Sequence, residues 1–251
     1  MAKLTRTGNI VTKVDKEITL KADKQKTFLV TNKNYTFDTP DILDETDISI
    51  EMPFLNCFDH TKFLSLASQA TLEWVAESLI SLLKGFLDKS QILGIPKGYF
   101  FQELKRLKSL SRLDLDWTTY EIFLETRINQ LTFLPVGFCH GNLILDHLMF
   151  DESKLWLLSF KKTFIDCPFI DIAKLLQSLR ILTDDKLLKS SLTYIYNVIN
   201  DEFKEFRNTP GLSELEFLTK LEFVSVKAGP ERVKLIEELN LASTQSLSYM
   251  R

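Results

Sequence analysis

Phe138-Cys139-His140-Gly141-Asn142, then Leu157-Leu158-Ser159-Phe160, then Pro168-Phe169-Ile170-Asp171-Ile172-Ala173-Lys174-Leu175-Leu176 is the stretch on which the reading of this chain turns. Residues 138–160 read as a loop and two short strands around the turn-forming run Asp151-Glu152-Ser153-Lys154. Beyond Pro168 the period changes, and Ile172, Leu175, Leu176 and Leu179 recur on one helical face.

Towards the N-terminus the pattern is first β, then helical. Residues 9–14 and 17–21 read as strands, with Ile18 and Leu20 pointing one way, and Ile48, Ile50 and Met52 alternate with Ser49 and Glu51. Turn-rich runs, Asn32-Lys33-Asn34 and Asp38-Thr39-Pro40-Asp41, lie between them, and Pro53 ends the third strand or sets it at an edge. From Phe63 through Ala67, Ala70, Trp74, Leu79 and Leu82 to Phe86 the spacing predicts one long helix, with Asp59 or Thr61 as N-cap. Gly94-Ile95-Pro96 separates it from a helix over 99–113, and another runs over 118–131 and stops before Pro135. Further helices are expected over 184–206, 212–227 and 230–242.

Composition narrows the function classes. A chain of 251 residues, 45% hydrophobic, can bury a large core in one domain or two lobes. A formal charge of -3 with evenly spread lysines offers no basic face for nucleic acid. No run approaches the roughly 20 apolar residues of a membrane span, and the start lacks an apolar signal core. Cys57, Cys139 and Cys167 form neither a disulfide framework nor a metal spacing, which points to reduced thiols and a cytoplasmic location.

The central segment resembles the aminoglycoside/choline phosphotransferase-like kinases, in particular a bacterial branch associated with sugar and capsule biosynthesis. That family's pattern runs Leu-Pro-x-Gly-Phe-Cys-His-Gly-Asp, four residues, Asn, a short hairpin, Leu-Ile-Asp-Phe, then x-Pro-x-x-Asp and a helix. This chain runs Leu134-Pro135-Val136-Gly137-Phe138-Cys139-His140-Gly141-Asn142, then His147, then Leu157-Leu158-Ser159-Phe160, then Pro168-Phe169-Ile170-Asp171. The match is dense over residues 134–180 and weak over 1–54. The resemblance implies an α+β, two-lobed protein-kinase-like fold. Residues 1–54 would be a reduced β-rich N-lobe. Residues 55–251 would be a mostly helical C-lobe carrying a degenerate catalytic loop over 138–160, with a hinge near 51–55.

The resemblance also implies the site. A phosphoryl-transfer loop needs a carboxylate for the hydroxyl proton, and an amide and a second carboxylate for magnesium. Those positions read Asn142, His147 and Ser159. An amide accepts no proton at neutral pH, imidazole suits magnesium poorly, and a hydroxyl brings no charge to hold the ion. Lys161 and Lys162 follow, either as solvated lysines or as cations standing in for the metal. His140 and Asp171 are kept, and the resemblance makes them anchors of the loop. On the nucleotide side stand Lys13, then Lys21, with Glu51 and Met52 near the hinge; a phosphate-covering loop wants glycines, and residues 1–54 contain only Gly8. No helix between Lys21 and Ile48 presents itself to carry a glutamate partner for Lys13.

Two function classes follow. One is a pseudokinase, a binding or regulatory module with a protein partner or small-molecule ligand and no cofactor. The other is an active phosphotransferase using ATP and magnesium on a small hydroxyl compound or sugar. In it Asp146, Asp151 or, best placed, Asp166 would replace the lost carboxylates. A helical scaffold without this ancestry is the third, and it leaves the 134–180 match unexplained.

Overall fold

The computed structural model describes residues 3–15, 17–31, 36–111, 113–151, 153–180, 185–209, 211–226 and 229–248. The Asn32-Lys33-Asn34 turn and Glu152 lie outside them.

Strand β1 (Lys3–Thr7) turns back into β2 (Ile10–Val14) through Gly8, whose φ of +62° suits glycine. A helix, α1 (Ile18–Thr31), follows. The chain then makes β3 (Phe37–Asp38), β4 (Asp44–Glu45) and β5 (Ser49–Pro53). β5 lies between β2 and β4, so the first sheet has the order β1-β2-β5-β4. Its inner face is small: Ile50 meets Ile18 and Ala22 of α1, with Ile42 and Met52 against them.

The remainder is mostly helical. β6 (Phe58–Asp59) leads into α2 (His60–Leu66) and α3 (Gln69–Asp88). Next come β7 (Gln91–Pro96), α4 (Lys97–Leu110), α5 (Trp117–Arg127) and β8 (Leu131–Val136), which pairs back onto β7. A hairpin of β9 (Leu148–Phe150) and β10 (Leu155–Leu157) follows the loop. β6 pairs with β9, and β3 adds parallel to β10, so the early chain reaches into this second sheet. Helices α6 (Pro168–Ser178), α7 (Lys186–Glu202), α8 (Leu212–Val226) and α9 (Gly229–Ser248) complete the fold. It is the expected α+β arrangement of a small β-rich part and a large helical part. No helix among the described residues is long and apolar enough to cross a membrane.

Four expectations need correction. Residues 17–21 do not form a strand: Ile18 opens α1, and Ile18, Ala22, Gln25 and Phe28 bury one helical face. The Ile18/Leu20 alternation misled because Leu20 is exposed. The helix said to be missing between Lys21 and Ile48 therefore exists. Residues 63–86 are two helices, because the Ser68 hydroxyl accepts the Thr71 N–H and caps α3, while Asp59 caps α2. Gly94-Ile95-Pro96 is not merely a break but the end of β7, and the fifth helix stops at Arg127 so that 131–136 can pair with it.

Phe28 joins the two parts. It leaves α1 and enters the main core, 5.4 Å from the Phe160 ring and 6.0 to 6.4 Å from Phe37, Phe138 and Phe86. Removing a fully buried aromatic leaves a cavity costing about 3–5 kcal/mol. Phe28→Ala is expected to lower stability by about that amount in urea unfolding; a change below about 1 kcal/mol would show that α1 is not held through this ring.

Candidate functional site

The loop of residues 139–147 is built on one carboxylate. Asp171, in the first turn of α6 and fully buried, accepts the His140 N–H at 2.6 Å through Oδ2. Its Oδ1 accepts the Gly141 and Leu143 N–H groups at 2.8 and 3.3 Å. Burial pushes its carboxyl up to about 6, against the opposing pull of Lys24, the loop N–H groups and Lys174. One turn on, Lys174 donates to the Gly141 carbonyl at 3.1 Å. Gly141 has φ +78°, and a Cβ there would sit 2.0 Å from the Lys161 carbonyl oxygen. His140 is wholly buried beneath the loop, its ring 4.3 Å from that of Phe160, and burial drives its pKa well down. Its Nδ1 accepts the Asn142 N–H.

Asn142, His147 and Ser159 come together on one wall of a cavity of about 370 Å³ between the first sheet and the loop. Lys13, Met52, Pro53, Phe54 and Met149 line it as well. His147 holds its Nδ1 2.8 Å from the Asn142 carbonyl, and burial lowers its pKa; a neutral ring then donates from Nδ1. Ser159 has φ +63°, a left-handed backbone that a non-glycine residue adopts at a cost. Lys13 reaches across from β2 and donates to the Ser159 hydroxyl at 3.1 Å. This donor set, an amide, an imidazole and a hydroxyl beside an ammonium, does not fit magnesium, which wants carboxylate oxygens. Among the described residues no group of three His, Cys, Asp or Glu side chains could hold a metal ion.

The other predicted positions fall elsewhere. Glu51 takes a long hydrogen bond from Thr12 at 3.4 Å and is not among the residues lining the cavity. Asp166 is also absent from that lining, because Lys24 of α1 pairs with it at 2.7 Å. The same ammonium donates to the Cys139 and Lys161 carbonyls, at 3.1 and 3.0 Å. Lys161 does not replace a metal beside Ser159: its ammonium pairs with Glu222 of α8 at 2.6 Å. Lys174 takes the other Glu222 oxygen at 2.9 Å. Lys162 lines a second, smaller pocket with Lys174 and Glu222. Lys24, Lys174 and Glu222 escaped the sequence reading. A helical reading of α1 would have placed Lys21, Lys24 and Phe28 along one side, and the i, i+3 step from Asp171 to Lys174 was visible in α6.

Glu222 is pushed up by burial and pulled down harder by Lys174 and Lys161, to about 2. Its depressed value means the stabilisation is complete above the ordinary carboxylate range and is lost as pH falls towards 2. Between pH 5 and pH 3 the wild-type urea midpoint is expected to fall more steeply than that of Glu222→Gln; parallel slopes would reject the triad. Gly141→Ala is expected to cost more than the roughly 1–2 kcal/mol of left-handed backbone alone, since the Lys161 carbonyl must also move. An unchanged urea midpoint would show that the loop adjusts freely.

No family model matches the chain, and no curated protein matches it. Solved structures do. A thermostable mutant of aminoglycoside phosphotransferase APH(4)-Ia, in its apo form, is 10% identical with a TM-score of 0.61, covering 98% of this chain and 89% of that one. ADP-bound aminoglycoside phosphotransferase APH(2'')-Ib is 16% identical with a TM-score of 0.54, over 98% and 94%. Plasmodium vivax ethanolamine kinase is 10% identical with a TM-score of 0.53, over 97% and 82%. At these identities the likeness is one of architecture, and over nearly the whole chain that architecture is the kinase-like phosphotransferase fold.

Proposed function

We propose that this chain is a pseudokinase, a kinase-fold module that binds a small molecule or a protein partner without transferring phosphate. The observation that carries the proposal is the wall formed by Asn142, His147 and Ser159, which brings no carboxylate to the interlobe cavity. A loop anchored by Asp171 but lacking a base and metal ligands is a scaffold without its chemistry. Residues 1–54 act as the small lobe and 55–251 as the large one. The match over 134–180 supports descent from the bacterial sugar- and capsule-associated branch, and three free cysteines support a cytoplasmic setting. No cofactor is required in this function.

The active alternative, an ATP- and magnesium-dependent phosphotransferase acting on a small hydroxyl compound or sugar, draws on ADP-bound fold relatives. It would need carboxylates that are engaged elsewhere. Asp166 is paired with Lys24, and Asp151 holds its own turn and the Trp156 indole. Asp146 is exposed beside His60.

ADP release from ATP and magnesium separates the two. Wild type and the single variants Asn142→Asp and Ser159→Asp are expected to stay at the blank rate, because metal, nucleotide and acceptor must be positioned together. Magnesium-dependent turnover by the wild type, lost in Asp166→Ala or Asp146→Ala, would overturn the proposal and establish the alternative.

A further inference from the structure

Lys13 is a buried cation with no ion-pair partner among the described residues, the nearby Asp15 being paired with Lys21. It is 8% exposed, and its one hydrogen-bond acceptor among the described residues is the neutral Ser159 hydroxyl. No described carboxylate lies within ion-pairing distance of it. The other cations around the cavity are matched: Lys21 pairs with Asp15 at 2.5 Å, and Lys161 pairs with Glu222. A buried charge that is not fully neutralised is costly, and Lys13 responds as expected, its pKa lowered by burial and by Lys21 against the opposing pull of Asp15. The Lys13 ammonium, with no ion-pair partner of its own, therefore faces a cavity lined by the Lys21–Asp15 pair and by the apolar side chains of Leu4, Val11, Met52, Phe54, Met149 and Leu158.

Resting on the non-catalytic function proposed above, we infer that this cavity takes, without a metal ion, a small molecule with a flat apolar body and one anionic group, a carboxylate or a phosphate monoester. The anion closes on the Lys13 ammonium beside Ser159, and the apolar body lies between Val11 and Met149. A metal-bridged triphosphate suits it poorly. Such a ligand brings several negative charges and requires the carboxylate-held ion for which the wall has no donors. A single anion restores neutrality and completes the hydrogen bonding of the ammonium. The volume of about 370 Å³ accommodates a ligand of one or two rings.

Matched pairs of probes test the inference, with EDTA present throughout. Indole-3-carboxylate is compared with indole-3-carboxamide, benzoate with benzamide, and adenosine monophosphate with adenosine, by calorimetry and thermal shift. At least one anionic member is expected to bind at least tenfold more tightly than its neutral partner. The carboxylate and phosphate pairs show which anion the site takes. In Lys13→Met that preference is expected to vanish, while binding of the neutral partners is unchanged and the ligand-free melting temperature rises, since an uncompensated buried charge is gone. Absence of any Lys13-dependent preference for an anion overturns the inference, as does binding of adenine nucleotides that appears only on replacing EDTA with magnesium. Failure here leaves the ADP-release result untouched, so loss of the anion site and loss of the pseudokinase function are separate outcomes.

Discussion

Asp171 is the constraint from which the central geometry follows. One buried carboxylate collects three N–H groups of the loop, from His140, Gly141 and Leu143, and thereby fixes a turn that glycine alone can make at 141. Hydrogen bonds to a charged acceptor are stronger than neutral ones, and here, with Lys24 and Lys174, they offset part of the desolvation that still leaves the carboxyl raised to about 6. With the turn fixed, the Lys161 N–H can reach the His140 carbonyl and the Leu158 N–H the His147 carbonyl. Those two bonds register the hairpin against the loop. Asn142, His147 and Ser159 consequently meet on one wall although 17 positions separate the first from the last.

Around that anchor Lys24 pairs with Asp166, Lys161 and Lys174 share Glu222, and Lys13 has no carboxylate partner among the described residues. In a phosphotransferase the strand lysine is held by a glutamate on the following helix. Here α1 offers lysines instead. Lys21 turns back to Asp15, and Lys24 crosses to Asp166 and to two loop carbonyls. The second contact binds α1 to the loop directly, alongside the Phe28–Phe160 ring contact. The helix is therefore docked by its own cation and its own aromatic, and its position does not depend on Lys13. Lys13 faces the cavity with a hydroxyl as its partner.

How much of this was legible follows the spacing of the residues. The loop, the hairpin and α6 were readable because Pro168, Asp171 and the apolar face of 172–179 lie within a few residues of one another, and the site wall came with them. The helix α1 was not, because its inward side is partly polar. Gln25 is buried through a hydrogen bond to the Pro40 carbonyl, and Lys24 is turned into the loop, so the apolar period was broken where the packing was tightest. The β7–β8 pair was hidden for a different reason. The mixed apolar and polar run of residues 128–134 suits a helix and a strand equally, and only the partner strand 40 residues earlier decides between them. Glu222 was beyond reach, since nothing local connects α8 with a lysine in the loop.

Ser159 sits in a strained backbone that its surroundings hold in place. Its left-handed backbone, at φ +63°, is a property of the turn between β10 and the following segment, held by Phe160 packed under His140 and by the Lys161 N–H on the His140 carbonyl. Aspartate, asparagine and glycine enter that region more readily than serine does, so the position carries strain that serine does not relieve. Strain of this kind survives only where neighbours over-determine it. The neighbours here are His140, Phe160 and the Asp171-bound loop, none of which needs a metal to hold its place. The geometry of the wall is thus secured by packing and by one buried carboxylate. The cavity it bounds holds the Lys13 ammonium, the Lys21–Asp15 pair and an apolar floor.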